Sequence, residues 1–237
     1  MLSIKNLSKS YKSNEKAIDN ISFEINKGDI FGFIGHNGAG KTTTIKCIVG
    51  IHEFEEGEIL IDKKDINKNP IECKIDIAYI PDNPDLYESL TGIQYLNFIS
   101  NIFKVERKER QELINYYANR FEIKDNLGNL ISSYSHGMKQ KLAIISALIH
   151  KPKILILDEP FVGLDPKASF TLKEMMKEFC ENGGAIFFST HVLDVAEKIC
   201  NKVAIIKNGK LVTSGYTDEV TRNKSLESLF MEMIEHE

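Results

Sequence analysis

One segment constrains the fold of this chain more than any other. Gly35-His36-Asn37-Gly38-Ala39-Gly40-Lys41-Thr42 matches the pattern G-x-x-x-x-G-K-[ST] at every fixed position. Glycines allow consecutive backbone N–H groups to curl around an anion, and a helix that follows directs its positive end at the same charge. Ile30 to Ile34 read as a short buried strand before the loop, and Gly40 to Val49 as a helix after it, with Thr43 in its first turn. That strand–loop–helix order is the context the pattern requires. Lys41 is then expected to reach the β- and γ-phosphates of a nucleotide, and the Thr42 hydroxyl to ligate Mg²⁺.

A second motif completes the first. The apolar run Ile154-Leu155-Ile156-Leu157 ends in Asp158-Glu159, and acids at the carboxyl end of a buried strand lie where α/β sheets assemble their ligand chemistry. Asp158 is the candidate for the magnesium shell, and Glu159 for the base that polarises an attacking water.

Composition excludes several other classes. The chain has 237 residues, 42% hydrophobic and 27% charged, enough for a sizeable core. Its formal net charge of -4 gives no basic surface for nucleic acid. The four cysteines, Cys47, Cys73, Cys180 and Cys200, form no C-x-x-C pair and are read as reduced thiols. Met1-Leu2-Ser3-Ile4-Lys5 leads straight into a strand-like pattern, so no signal peptide is expected. The longest apolar stretch, Leu142 to Ile149, is interrupted by Ser146 and falls well short of the roughly 20 residues of a spanning helix.

Along the chain, Ile21, Phe23 and Ile25 alternate with Ser22 and Glu24, as in a half-buried strand. Further strands are expected at Glu58 to Ile61, Ile77 to Ile80, Lys153 to Leu157 and Ala185 to Ser189, with a hairpin around Asn208-Gly209. The middle is helical. Thr91 and Gln94 have capping-box spacing, Leu113, Tyr117 and Phe121 trace a second helix, and Met138, Leu142, Ile145 and Ile149 a third. Boundaries of this block are expected near Pro84 and Pro152.

Tyr134-Ser135-His136-Gly137-Met138-Lys139-Gln140 resembles the L-S-G-G-Q signature of ABC ATPases, although Tyr134, His136 and Met138 depart from its consensus. With the phosphate loop and Asp158-Glu159, the likeness to that family extends along essentially the whole chain. It implies an α/β phosphate-loop core with an antiparallel β subdomain (1–84 and 152–237) and an inserted helical subdomain (85–151). It also implies that Ser135 and Gly137 cap ATP held by an opposing subunit, and that adenine stacks on Tyr11. Gly163-Leu164-Asp165-Pro166 resembles the loop that pairs the subunits, and His191 the switch histidine at the γ-phosphate. Asp82 stands where the family usually has a glutamine that senses Mg²⁺, so an aspartate here is expected to act on the metal through water.

The resemblance further implies ATP and Mg²⁺ as ligands and a second ATPase subunit as partner. A homodimer is favoured over a heterodimer because both halves of a site are present. A separate transmembrane permease would hold the protein at the cytoplasmic face of the plasma membrane. Tyr79 to Gly92 and the histidine-bearing signature look most like exporter subunits. The alternative is an ABC ATPase without a transporter. DNA-repair members carry long coiled coils between loop and signature, and here 94 positions separate Lys41 from Ser135. A switch GTPase is disfavoured, since no N-K-x-D guanine motif is found.

Overall fold

The computed structural model describes residues 1–11, 16–222 and 224–235, with side chains through 232. In chain order the elements are β1 (Leu2–Ser10), β2 (Lys16–Ile25), β3 (Ile30–Ile34), α1 (Lys41–Ile48), β4 (Glu56–Ile61), β5 (Lys64–Asp65), α2 (Pro70–Asp76) and β6 (Ile77–Ile80). Then come α3 (Gly92–Ile102), α4 (Arg107–Arg120), α5 (His136–Ile149), β7 (Ile154–Asp158), α6 (Pro166–Glu181) and β8 (Ala185–Thr190). The chain closes with α7 (Leu193–Ile199), β9 (Lys202–Lys207), β10 (Lys210–Tyr216), α8 (Thr217–Thr221) and α9 (Leu226–Glu235).

Two sheets form. One is antiparallel, in the order β2-β1-β4-β5; the other runs β10-β9-β3-β8-β7-β6. In the second, β3, β6, β7, β8 and β9 are parallel and only the edge strand β10 is antiparallel. The parallel strands are apolar at consecutive positions because the sheet is covered on both faces. Period-2 geometry splits their side chains between two cores. Ile30, Ile34, Ile186, Phe188, Leu155 and Leu157 face a core shared with the helices. Phe31, Phe33, Phe187, Ile154 and Ile156 face a core shared with the antiparallel sheet.

An aromatic cluster joins the two sheets. Phe23 of β2 lies 5.2 Å from Phe31, 5.6 Å from Phe33 and 5.6 Å from Phe187, centroid to centroid. The sequence alternation at residues 21–25 is therefore met by the structure: Ile21, Phe23 and Ile25 are buried while Ser22 and Glu24 are exposed.

Between β6 and β7 the chain is helical. The Thr91 side chain accepts from Gln94 N (3.3 Å) and the Gln94 side chain accepts from Thr91 N (2.9 Å), which completes the capping box. Helix α5 is buried along most of its length, and α3 and α4 pack on it. All four cysteines are buried and free.

Helices α2, α6, α7, α8 and α9 were not expected from the sequence pattern. The start of α6 nevertheless carries local signals: Asp165 caps it by accepting from Ala168 N at 2.8 Å, and Pro166 occupies the first turn.

Removing the ring of Phe187 would open a cavity where both sheets meet. Phe187→Ala is expected to lower unfolding stability by about 3–5 kcal/mol, read from the denaturant midpoint.

Candidate functional site

Four parallel strands deliver their carboxyl ends side by side. Ile34 is in register with Thr190, Asp158 with Ser189 and Ile80 with Leu157. The phosphate loop, Asp82, Asp158-Glu159 and His191 therefore all emerge on one edge of the sheet, which is where α/β folds place ligands.

The loop after β3 depends on glycine at two points. Gly38 has φ +84°, and Gly40 has φ +109° with its Cβ position only 2.6 Å from Ala17 O. A side chain at either would be strained, and at Gly40 it would also collide with β2. Gly40 serves as N-cap of α1 without any side-chain cap, so the helix presents its amino end to the loop. Gly35 and Ala39 lie beneath the loop and shape it from below; a Cβ on Gly35 would sit 2.6 Å from Ile206 O.

A cleft of about 340 Å³ opens above this loop. Its walls are Tyr11, Ala17, His36, Asn37, Gly38, Gly40, Lys41, Thr42, Thr43, Asp82, Asp158 and Glu159. Most of the residues singled out from sequence thus meet in one place. A larger cleft of about 480 Å³ lies between α4, α5 and α6 and shares none of these residues; its lysines, Lys151 and Lys153, are already paired with Glu109, Asp62 and Asp76. The smaller cleft is the candidate site because it alone combines uncapped helix N–H groups, a buried cation and carboxylates.

Lys41 is 7% exposed, and its Nζ crosses the loop to donate to Gly35 O (2.6 Å) and His36 O (3.3 Å). Glu159 Oε1 lies 3.7 Å from that ammonium and 2.9 Å from His191 Nδ1. His191 is thereby tied to the site through Glu159 rather than lining the cleft. Glu159 itself sits in a left-handed conformation, φ +48°, held by its N–H donating to Ser189 O (3.2 Å) and Oγ (3.1 Å). Non-glycine residues held this way concentrate at functional sites.

Asp158 is nearly fully buried. Thr42 Oγ1 donates to its Oδ2 at 2.9 Å, and Ser189 Oγ donates to its Oδ1. The paired hydroxyl and carboxylate are hard oxygen donors of the kind Mg²⁺ accepts alongside phosphate oxygens and water. Among the described residues no group of three or more His, Cys, Asp or Glu side chains could hold a metal, so an ion here would draw on Thr42, Asp158 and its substrate. Asp82 lines the same cleft and is exposed. Nearby Tyr79 is pushed up to about 12 by burial, reinforced by the negative charges of Asp158 and Asp82.

Tyr11 is half exposed at the rim, its hydroxyl 3.4 Å from Thr43 Oγ1 and its ring edge-on to His52 at 6.0 Å. Sequence reasoning missed three supporting residues: Ala17, His52 and Ser189. None carries a local motif, and each is recruited by contacts across elements. Ser135 and Gly137 stand apart from the cleft. Ser135 is exposed and caps α5 by accepting from Met138 N at 3.3 Å.

The family model "ABC transporter" matches residues 18–162. The chain is 37% identical to "Uncharacterized ABC transporter ATP-binding protein YxlF" of Bacillus subtilis over 94% of this chain and 74% of that one. It is 31% identical to "SkfA peptide export ATP-binding protein SkfE" of the same organism, over 92% and 90%. Among solved structures, "Structure of ATP binding subunit of ABC transporter" superposes with TM-score 0.95 at 34% identity, covering 99% of this chain and all (100%) of the other. "Dimeric structure of a post-hydrolysis state of the ATP-binding cassette MJ0796 bound to ADP and Pi" gives 0.83 at 25%, covering 92% and 99%.

If the Tyr11 ring supports a purine base, Tyr11→Ala should weaken nucleotide binding about tenfold to a hundredfold while Tyr11→Phe retains it. Titration with a fluorescent ATP analogue distinguishes the two.

Proposed function

The chain belongs to the ABC transporter family as an ATP-binding subunit, and from that premise we propose that it hydrolyses ATP between two copies of itself to drive export through a separate membrane subunit. One observation carries the proposal. The cleft gathers the phosphate loop, Asp158 and Glu159, with His191 hydrogen-bonded to Glu159, while Ser135 and Gly137 of the signature are not among its lining residues. A chain built this way holds both halves of a site without joining them, and a second copy would join them. The dimeric ADP-and-Pi neighbour supports that arrangement.

In this reading, backbone N–H groups of 35–40 and the amino end of α1 bind the phosphates, and Lys41 exchanges its contacts with Gly35 O and His36 O for β- and γ-phosphate oxygens. Thr42 and Asp158 would hold Mg²⁺, with Asp82 reaching it through water; the ion, when bound, supplies charge neutralisation at the transferred phosphoryl group. Glu159 orients and polarises water, and His191, hydrogen-bonded to it, fixes the carboxylate and reaches for the γ-phosphate. The partner's Ser135 and Gly137 bring a helix amino end to the same phosphate and exclude water. Because nucleotide favours the closed pair, binding and hydrolysis alternate the dimer between two states.

Among the described residues no helix is long and apolar enough to cross a membrane. In this reading transport runs through a separate membrane subunit, with this chain peripheral to it at the cytoplasmic face. A groove of about 360 Å³ between the α/β core and the helical lobe, lined by Ile51, Tyr79, Ile99 and Phe103 among others, offers an apolar seat for the membrane subunit. Export is supported by the peptide-export relative.

Lys41→Ala should weaken ATP binding about a hundredfold, because it removes the buried cation. Glu159→Gln should keep ATP binding but slow hydrolysis by about a hundredfold or more. On size-exclusion chromatography with Mg-free ATP this variant should shift from monomer to dimer; no shift despite bound ATP would reject the shared-site mechanism.

A further inference from the structure

The signature segment and the turn after Glu159 touch within one chain, and the contact is unusually close. Gly163 has φ +78°, and a Cβ placed there would overlap the His136 imidazole, 2.6 Å from its Nε2. Gly137 faces the same turn, with its own Cβ position 2.8 Å from Gly163 O. The histidine ring thus fills the volume a side chain at 163 would occupy. One turn further along α5, Lys141 Nζ donates to Asp165 Oδ2 at 3.0 Å, and Asp165 Oδ1 caps α6. Lys167 of α6 pairs with Glu122 of the helical lobe.

We propose that His136 is a positioning residue that keys the signature segment onto Gly163, so that residues 135–137 and 163–166 meet an opposing subunit as one rigid lip. This deepens the shared-site reading and rests on it. His136 stands where the ABC signature carries glycine, and a glycine would leave the surface of Gly163 uncovered. The Lys141–Asp165 pair is exposed on its acidic side and screened by solvent, so it guides the register rather than fixing it. His136 is exposed as well, but its ring lies directly against the backbone of Gly163, and this close steric approach supplies the shape-specific contact. Holding the two segments in one geometry before association removes an ordering cost at closure. In the shared site these segments would lie beside the partner's nucleotide, so the key would act on dimerisation and turnover. ATP binding by the monomer would be untouched, since the cleft includes neither segment.

The test is a double-mutant cycle in the Glu159→Gln background, with dimerisation in Mg-free ATP measured by analytical ultracentrifugation and monomer ATP binding measured in parallel. Gly163→Ala should weaken dimerisation about tenfold when His136 is present. In the His136→Gly background the same change should cost about threefold or less, because the ring that must be displaced is gone. An equal penalty in both backgrounds would overturn the proposal, since it would reflect only the left-handed backbone. His136→Ala offers an independent reading that introduces no strain. It should weaken dimerisation about threefold to tenfold and, with Glu159 restored, lower kcat while monomer ATP affinity stays unchanged. Unchanged dimerisation and kcat would overturn the proposal. A Glu159→Gln parent that binds ATP yet stays monomeric would reject the shared-site reading itself, and this inference with it.

Discussion

Phe187 lies in the middle of β8 with Phe23, Phe31 and Phe33 on one side of the sheet, while its neighbours Ile186 and Phe188 face the helices on the other. Two-sided burial of the parallel strands is what the rest of the molecule depends on. It fixes register, because a one-residue slip of any strand would exchange its side chains between two different cores. With register fixed, Ile34, Ile80, Asp158 and Thr190 end at one level, and the loops that follow have no choice but to converge. The site is thus a consequence of packing several residues away from any charged group.

Within the site, charge is held ready by backbone rather than by solvent. Lys41 is buried and satisfied by two carbonyls of its own loop, so a phosphate that displaces them meets a cation already positioned. Glu159 gains its direction from a left-handed backbone tethered to Ser189, and the same serine orients Asp158. Ser189 therefore sets both acids from a neighbouring strand. This links the geometry of the Asp158-Glu159 pair to the pairing of β7 with β8, and so to the aromatic cluster beneath it.

Much of this was legible in the residues. The loop sequence, the buried run into Asp158-Glu159, the capping box at Thr91 and the Asn208-Gly209 hairpin all carry local signals, and each is found where its signal lies. Strand β10, the second arm of that hairpin, extends to Tyr216. It is an edge strand with no buried residue and a register shift between Leu211 and Thr213, so its last residues owe their conformation to pairing with β9. Helix α2 is short, and its Ile71 and Ile75 are exposed rather than packed, which leaves little apolar pattern to read. In α6 the buried positions Ala168, Leu172, Met175, Met176 and Cys180 do follow helical spacing. There the helical signal is present in the sequence itself.

The sequence by itself determined the local pieces: a phosphate loop that only glycine can form at Gly38 and Gly40, a helix beginning at Lys41, and acids at the end of a buried strand. Such features depend on dihedral preferences and side-chain periodicity, which act over a few residues. Only the tertiary structure decided that His191 binds Glu159, that Ser189 holds Asp158, that Ala17 closes over Gly40 and that His136 covers Gly163. Those partners are 23 to 32 residues apart. Long crossovers separate them in the chain, and local pattern does not specify which strand ends become neighbours; the shared burial of the parallel sheet does.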